Sequence, residues 1–400
     1  MKSVILVGDG MGDYPVAELG DKTVLEAAHT PAMDDLASRG RVGRLRTVPD
    51  GMAPGSDVAN LSLLGYRPEE FYTGRSPLEA ASLGVDLGPN EIAFRLNLVH
   101  TREEGGRLTM VDYSGGHIST LEAHELIAAL QDALPLSGNL ALYPGIDYRH
   151  LLVYRGPVDS LTTAPPHDYS DQDVTDFWQA YAAVPELAAF NRAAGPILAA
   201  HPVNKERQAA GKRSANNVWL WGEGMAPAIV PLKERFGVSG ALISAVDLLK
   251  GIAVYAGMEV VEVAGATGYL DTNYEGKVSG ALAALKRHDL VFVHVEAPDE
   301  TGHQGLVAEK VRAVEDFDAR VVAPVAAGLA ELGEPYRLVV CMDHFTPLAL
   351  RTHTDDEVPL VIFASEAEGE GSGQGYDEAA GRASDLVFAN GQEFMAAVLD

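Results

Sequence analysis

Apolar residues are concentrated in short runs near the two ends of the chain. Ser3 to Val7 is a β-branched run of strand length that stops at Gly8, the pattern of a buried parallel strand. The same pattern returns at Asp289 to Val295, Arg337 to Met342 and Val358 to Ala364, each followed by polar or turn residues. Between the first two of these, Ala308 to Leu332 carries a helical period, with a kink expected at Pro324. A further helix is predicted from Pro31 to Arg39, with Thr30 as its cap, Pro31 at the first helical position and Gly40 as its stop. Strands alternating with helices predict an α/β fold: a parallel sheet with helices on both faces.

The middle of the chain has another rhythm. Ile92 to Val99 and Arg107 to Val111 read as short alternating strands joined across Glu104-Gly105-Gly106, and Pro165-Pro166 marks a turn. We therefore expect a smaller α+β domain at residues 74–222, inserted into an α/β domain made of residues 1–73 and 223–400. The Gly/Glu/Ser run from Glu366 to Gln374 reads as a surface loop.

Charge narrows the function. Thirty Lys and Arg against 57 Asp and Glu leave a net charge of −27, a field that repels phosphate backbones and anionic lipid. Neither a nucleic acid nor a membrane is expected as a partner. The single cysteine, Cys341, rules out an intramolecular disulfide and a cysteine-based zinc site. The apolar runs are far shorter than the roughly 20 residues of a membrane span, and the N-terminal run does not read as a signal peptide, so a cytoplasmic protein is expected.

The candidate chemistry lies just beyond the strand ends. Asp9 follows the first strand, Asp299 and His303 follow the second, Asp343-His344 follow the third, and His353 precedes the fourth. Ligands of open parallel sheets bind beyond the carboxyl ends of the strands. Three carboxylates and three imidazoles at one edge form a donor set for divalent ions such as Mn²⁺ or Zn²⁺. Any one of these residues alone would pass as a cap or turn residue; the joint pattern favours metal. Ser56, in Pro54-Gly55-Ser56-Asp57-Val58-Ala59-Asn60, lies where a helix begins. It is either a plain N-cap or a hydroxyl set where backbone N–H groups hold phosphate. Gly8-Asp9-Gly10-Met11-Gly12-Asp13 fails the dinucleotide fingerprint at Asp13. In so acidic a chain, an anionic substrate needs local cations, and Arg75, Arg95, Arg149, Arg207, Lys212 and Arg213 are candidates, with His117 and His167-Asp168 on turns.

Gly8 to Asp13, Gly55 to Tyr66, Asp299-Glu300-Thr301-Gly302-His303, Asp343-His344, Tyr113-Ser114-Gly115-Gly116-His117 and Trp219 to Gly222 together resemble the archaeal type of cofactor-independent phosphoglycerate mutase, a family of the alkaline phosphatase superfamily. The resemblance spans essentially the whole chain. It implies an alkaline-phosphatase-like domain and interconversion of 3-phosphoglycerate and 2-phosphoglycerate in glycolysis and gluconeogenesis. In that reading Ser56 takes the phosphoryl group and returns it to the retained glycerate, with no bisphosphoglycerate cofactor. Two divalent ions are implied, manganese first, with Mg²⁺, Zn²⁺ or Co²⁺ as alternatives. One is expected on Asp299, His303 and His353, the other on Asp9, Ser56, Asp343 and His344. His117 is expected to act near the glycerate of a small phosphorylated carboxylic acid. Arg95, Arg149, His167, Asp168 and Arg207 are expected to bind that substrate, with the inserted domain closing over it. Phe345 stands where a smaller polar residue is expected, and the stretch after His353 is one acidic residue longer than expected. A phosphatase or phosphodiesterase of the same superfamily is the alternative; a non-catalytic metal-binding scaffold would not need Ser56.

Overall fold

In the computed structural model the strand Lys2–Gly8 lies at the centre of an eight-stranded sheet, paired in parallel with Leu290–Val295 on one side and Tyr336–Cys341 on the other. The structure describes all residues except 134–137, 159–160 and 368–370, so part of the predicted 366–374 loop lies outside the described residues. The chain divides into two compact units: Met1–Tyr72 with Ala228–Asp400, and Thr73–Pro227.

In the first unit the register sets the chemistry. Val7 pairs with His294 and with Cys341, so Asp9, the end of the Leu290–Val295 strand and Asp343 emerge at one edge. The Asp9 N–H donates to the Val295 carbonyl at 2.9 Å, which holds the departing chain against its neighbour. Val4, Ile5, Leu6 and Val7 are fully buried, as are Val291, Phe292 and Val293, so these strands are apolar on both faces. One expectation is corrected. Val358–Ala364 runs antiparallel to both of its neighbours, Tyr336–Cys341 and Arg41–Leu45. Its continuous apolar run reflects burial, which looks the same in either direction.

The helices bring two further corrections. Pro31–Arg39 is helical, yet the Thr30 side chain makes no capping bond. Asp318 does that work from far along the chain, accepting from the N–H groups of Ala32 at 3.2 Å and Met33 at 2.7 Å. Ala308 to Leu332 is not one kinked helix. Val307–Phe317 passes through a π-helical stretch, Asp318–Val322, into Ala323–Leu332 with the backbone helical throughout, and Pro324, which has no N–H to donate, follows that stretch. Asp299 and His303 lie on a helix, Ala297–Gln304, for which the sequence carried no expectation.

The second unit is an antiparallel sheet with helices packed on it. Glu91–Glu104 is its long central strand, flanked by Arg149–Arg155, Asn217–Met225 and, across the predicted Gly105-Gly106 turn, Arg107–Asp112. Leu96, Leu98 and Leu220 from the sheet meet Leu126, Leu187, Phe190 and Leu198 from the helices in its main core. Among the described residues no helix is long and apolar enough to cross a membrane.

Candidate metal centre and nucleophile

The helix Ser56–Leu63 begins after Gly55, which is its cap residue, and Ser56 makes no side-chain capping bond. The hydroxyl is therefore free of the bland role, and Ser56 Oγ lies 3.2 Å from His344 Nε2. One turn on, Asn60 Nδ2 bonds both the Ser56 carbonyl and the Asp343 carboxylate.

Two clusters of donors surround this point. The first brings together Asp299, His344 and His353. His303 joins it because i,i+4 spacing puts it on the same helix face as Asp299, 3.3 Å from Asp299 Oδ2. His303 Nε2 and His353 Nε2 face each other at 2.9 Å, and the His344 and His353 ring centroids are 4.0 Å apart. The second cluster is Asp9, His294 and Asp343, all buried. His294 Nε2 lies 3.1 Å from Asp9 Oδ2, yet neither His294 Nε2 nor Asp9 Oδ1 has a hydrogen-bond partner. Donors bound at ~2.1 Å to one ion stand about 3.4 Å apart in a tetrahedral set, so both clusters have the spacing and chemistry of a divalent-ion site.

The electrostatics fit a site built for cations. Burial pushes Asp9 well above the usual carboxylate range, and the neighbouring Asp343 and Asp299 add to it. Burial also works against the charged forms of Asp299 and Asp343. Contacts with His303 and His353 hold Asp299 well below its ordinary value, and His344 and His294 lower Asp343. Asp299 in turn raises His303 to about 9, against its burial. Burial lowers His344, which favours the neutral imidazole that binds metal.

The loops carrying these groups are held from below. Lys310 is fully buried and donates to the Gly12 carbonyl, Asp13 Oδ2 and the Thr346 carbonyl. Gly10 has a φ of +62°, and a Cβ there would come within 2.6 Å of Thr346 Oγ1 and 2.7 Å of Asp299 Oδ1. The unexpected Phe345 packs face to face with Gly12, where a Cβ would lie 2.2 Å from the ring. The extra acidic residue after His353 does not displace that imidazole, which sits 3.5 Å from Asp299 Oδ1.

His294 and Asn60 were not singled out from the sequence. His294 is the one polar side chain in a strand of Leu, Val and Phe, and an imidazole there is a detectable signal. Asn60 lies four residues after Ser56, on the same helix face.

In the second unit, Arg95 and His167 share an aromatic floor. The Arg95 guanidinium lies 4.4 Å from the Trp221 ring centroid, and the His167 ring is 5.5 Å from Trp221 and 6.1 Å from Tyr113. Arg149 stacks near Tyr148 at 5.6 Å. Burial lowers Arg95 to about 10, with Glu79 opposing and Arg75 and Arg149 adding to the fall. Burial also lowers His167; Asp168 opposes it, and Arg95 and Arg75 reinforce it. Asp168 sits 3.6 Å from His167 Nε2. Arg207 is placed differently. Its guanidinium donates to Glu122, to the Arg213 carbonyl and to the carbonyls of Gly115 and Gly116, and it is buried. It clamps the turn in which Gly115, Gly116 and His117 all have positive φ (58°, 72° and 49°), with the His117 side chain exposed at its end. The two glycines adopt this conformation freely, whereas His117, as a non-glycine residue, is held in it at a cost.

Comparison with known proteins agrees with this geometry. A family described as 2,3-bisphosphoglycerate-independent phosphoglycerate mutase matches residues 37–204. The chain is 51% identical to a probable 2,3-bisphosphoglycerate-independent phosphoglycerate mutase of Geobacter sulfurreducens over 400 residues, all of both chains. It is 48% identical to the 2,3-bisphosphoglycerate-independent phosphoglycerate mutase of Methanosarcina barkeri over 387 residues, 96% of each. A solved protein structure from Pyrococcus horikoshii superposes with a TM-score of 0.82 at 29% identity, covering 100% of this chain and 96% of the other. With half of its residues identical to such a relative from end to end, the chain belongs to the 2,3-bisphosphoglycerate-independent phosphoglycerate mutases.

Proposed function

We propose that this protein interconverts 3-phosphoglycerate and 2-phosphoglycerate through a phosphoserine at Ser56. The observation that carries this reading is a hydroxyl free of capping duty at a helix N-terminus, 3.2 Å from His344 Nε2 and beside two clusters of metal-type donors. Divalent ions held by Asp299, His303 and His353, and by Asp9, Ser56, Asp343 and His344 with His294 beside them, would neutralise the phosphoryl oxygens and favour loss of the serine proton. Manganese is the ion we assign first. Ser56 Oγ attacks phosphorus and the glycerate oxygen leaves; the other glycerate hydroxyl then takes the phosphoryl group back. The positive end of the Ser56–Leu63 helix favours the phosphoryl dianion, and Asn60 keeps that helix end in place.

We assign the unit Thr73–Pro227 to binding the substrate. Arg75, Arg95, Arg149 and His167 are the cationic and polar groups suited to a carboxylate and a phosphate, with Asp168 orienting His167. His117 is assigned to the glycerate, and Arg207 to holding the turn that displays it. The test is an isomerisation assay with 3-phosphoglycerate, Mn²⁺ and no bisphosphoglycerate, with free phosphate followed in parallel. Conversion to 2-phosphoglycerate with little phosphate release is expected. Phosphate release without isomerisation would make the chain a phosphatase.

A further inference from the structure

Glu79 stands between Arg75 and Arg95 in the second unit. It lies on the short helix Ser76–Ser82, and Arg75 Nε donates to its Oε1 at 3.2 Å. Arg95 Nε lies 3.1 Å from its Oε2, an ion pair without the alignment of a hydrogen bond. Each oxygen of one carboxylate therefore holds a different arginine, and holds it by Nε. The Glu79 side chain is largely buried, so both pairs are sheltered from water.

Arg95 is the anomaly. It is 6% exposed, and among the described residues its two Nη groups have no hydrogen-bond partner. Only Nε is fully enclosed; the Nη atoms keep an opening to solvent. The Nη groups of Arg75, on a half-exposed side chain, are unpartnered in the same way. Donors left unmet in a nearly buried cation are costly, and an incoming anion would meet them. The rest of Arg95 is fixed. It pairs across the strands with Trp221, and its N–H donates to Ser76 Oγ at 2.7 Å, while that hydroxyl donates to the Gly222 carbonyl. Ser76 opens the helix that carries Glu79, so Glu79 and Arg95 are parts of one anchored piece. Charge alone works against the arrangement: Arg75 and Arg149 both repel Arg95, and Glu79 is the main group that attracts it.

We propose that Glu79 is a positioning residue for the substrate: it anchors Arg75 and Arg95 by Nε and turns their free Nη groups toward one anionic group, a carboxylate or a phosphate. The proposal rests on the assignment of this unit to substrate binding. A guanidinium held at Nε keeps its Nη donors for such a group, and setting two of them in advance spares the ordering cost on binding. Mere charge compensation makes the opposite prediction, because a carboxylate that only offset the arginines would compete with the substrate.

The test compares Glu79→Gln and Glu79→Asp with wild type in the full-length, Mn²⁺-loaded protein. Glu79→Gln is expected to raise KM for 3-phosphoglycerate about tenfold, the worth of one charge-assisted hydrogen bond, with kcat changed less than about threefold. Glu79→Asp keeps the charge and shortens its reach, and should also raise KM. Arg75→Ala, at a half-exposed side chain that does not risk folding, should raise KM as well. Affinity is read separately by calorimetry with 3-phosphoglycerate in the Ser56→Ala background, where no turnover follows, and Kd should move with KM. An unchanged or lowered KM in Glu79→Gln would overturn the proposal, as would a wild-type KM in Glu79→Asp or in Arg75→Ala, or a fall in kcat alone. Wild type that binds 3-phosphoglycerate without isomerising it would refute the reaction assigned above and leave the Glu79 comparison to be decided by Kd. Wild type that neither binds nor converts it at millimolar concentration would refute both.

Discussion

Asn60 Nδ2 donates to Asp343 Oδ2 at 2.9 Å, and the same nitrogen donates to the Ser56 carbonyl at 2.8 Å. One side chain therefore ties the first turn of the nucleophile's helix to a carboxylate of the sheet edge. Groups that orient metal ligands typically change activity or metal affinity 10–100-fold when removed. Asn60→Leu keeps the shape and loses both bonds, so kcat should fall about 10–100-fold. Asn60→Asp sets a like charge against Asp343 and should cost more. Steady-state kinetics of both variants check this; a wild-type kcat in Asn60→Leu would remove Asn60 from the machinery.

Ser56→Ala deletes the proposed phosphoryl acceptor, which is also one proposed metal donor, and leaves the helix start intact, since Gly55 is the cap residue. Loss of a covalent nucleophile costs on the order of 10⁴-fold or more in turnover. Turnover should fall at least that far, and the phosphoserine trapped on acid quench of the wild type should vanish from the mass spectrum. Mn²⁺ should still bind, because the carboxylates and imidazoles of both clusters remain. Substantial isomerisation by Ser56→Ala would refute the covalent route.

The charge arrangement makes metal removal a stability experiment as well as an activity one. Asp9 is pushed up by burial and by two neighbouring carboxylates, so a cation placed there relieves repulsion that only the folded protein has. A ligand that binds only the folded state at 100 times its Kd stabilises by about 2.7 kcal/mol. Chelator-stripped protein should be inactive and melt at a lower temperature, and Mn²⁺ should restore both. Asp9→Asn should blunt the thermal shift on adding Mn²⁺. Full activity in metal-free protein, verified by elemental analysis, would sink the two-ion reading.

The parts of this site that follow strand ends were legible in advance. Asp9 and Asp343-His344 each directly follow an apolar run, and parallel pairing brings such positions together whatever lies between them in the chain. His294 was not legible in that way, because it sits within its strand and reaches the cluster from the side. The helix Ala297–Gln304 was not predicted, although its residues suit it: Pro298 in the first turn needs no N–H partner, and Gly302 lets the Thr346 carbonyl approach to 2.7 Å of where its Cβ would stand. The direction of Val358–Ala364 was hidden because a strand buried on both faces carries the same apolar run in either orientation. Arg207 illustrates a different limit. Its residue type suits an anion, but its donors close on backbone carbonyls made available by the Gly115-Gly116 turn, which only the fold reveals.

Glu378 gives a pH test that does not involve the metal site directly. Its carboxylate accepts from the Asp13 N–H at 3.1 Å and the Thr23 hydroxyl at 2.7 Å, and it is 1% exposed. Burial raises it from 4.5 to about 7 in spite of those two bonds. The folded protein therefore keeps a proton that the unfolded chain releases between pH 4.5 and about 7. Stability from this group is fully present below the lower value and is lost as pH rises through the upper one. At about 1.4 kcal/mol for each pH unit, the loss across that interval is about 3.5 kcal/mol at most. Glu378→Gln carries no titrating proton and should escape it. In urea unfolding at pH 5, 6, 7 and 8, wild-type stability should decline relative to Glu378→Gln up to about pH 7 and run parallel to it beyond. Parallel curves across the whole range would show that Glu378 does not titrate with folding, and that the bonds from Thr23 and Asp13 offset its burial completely.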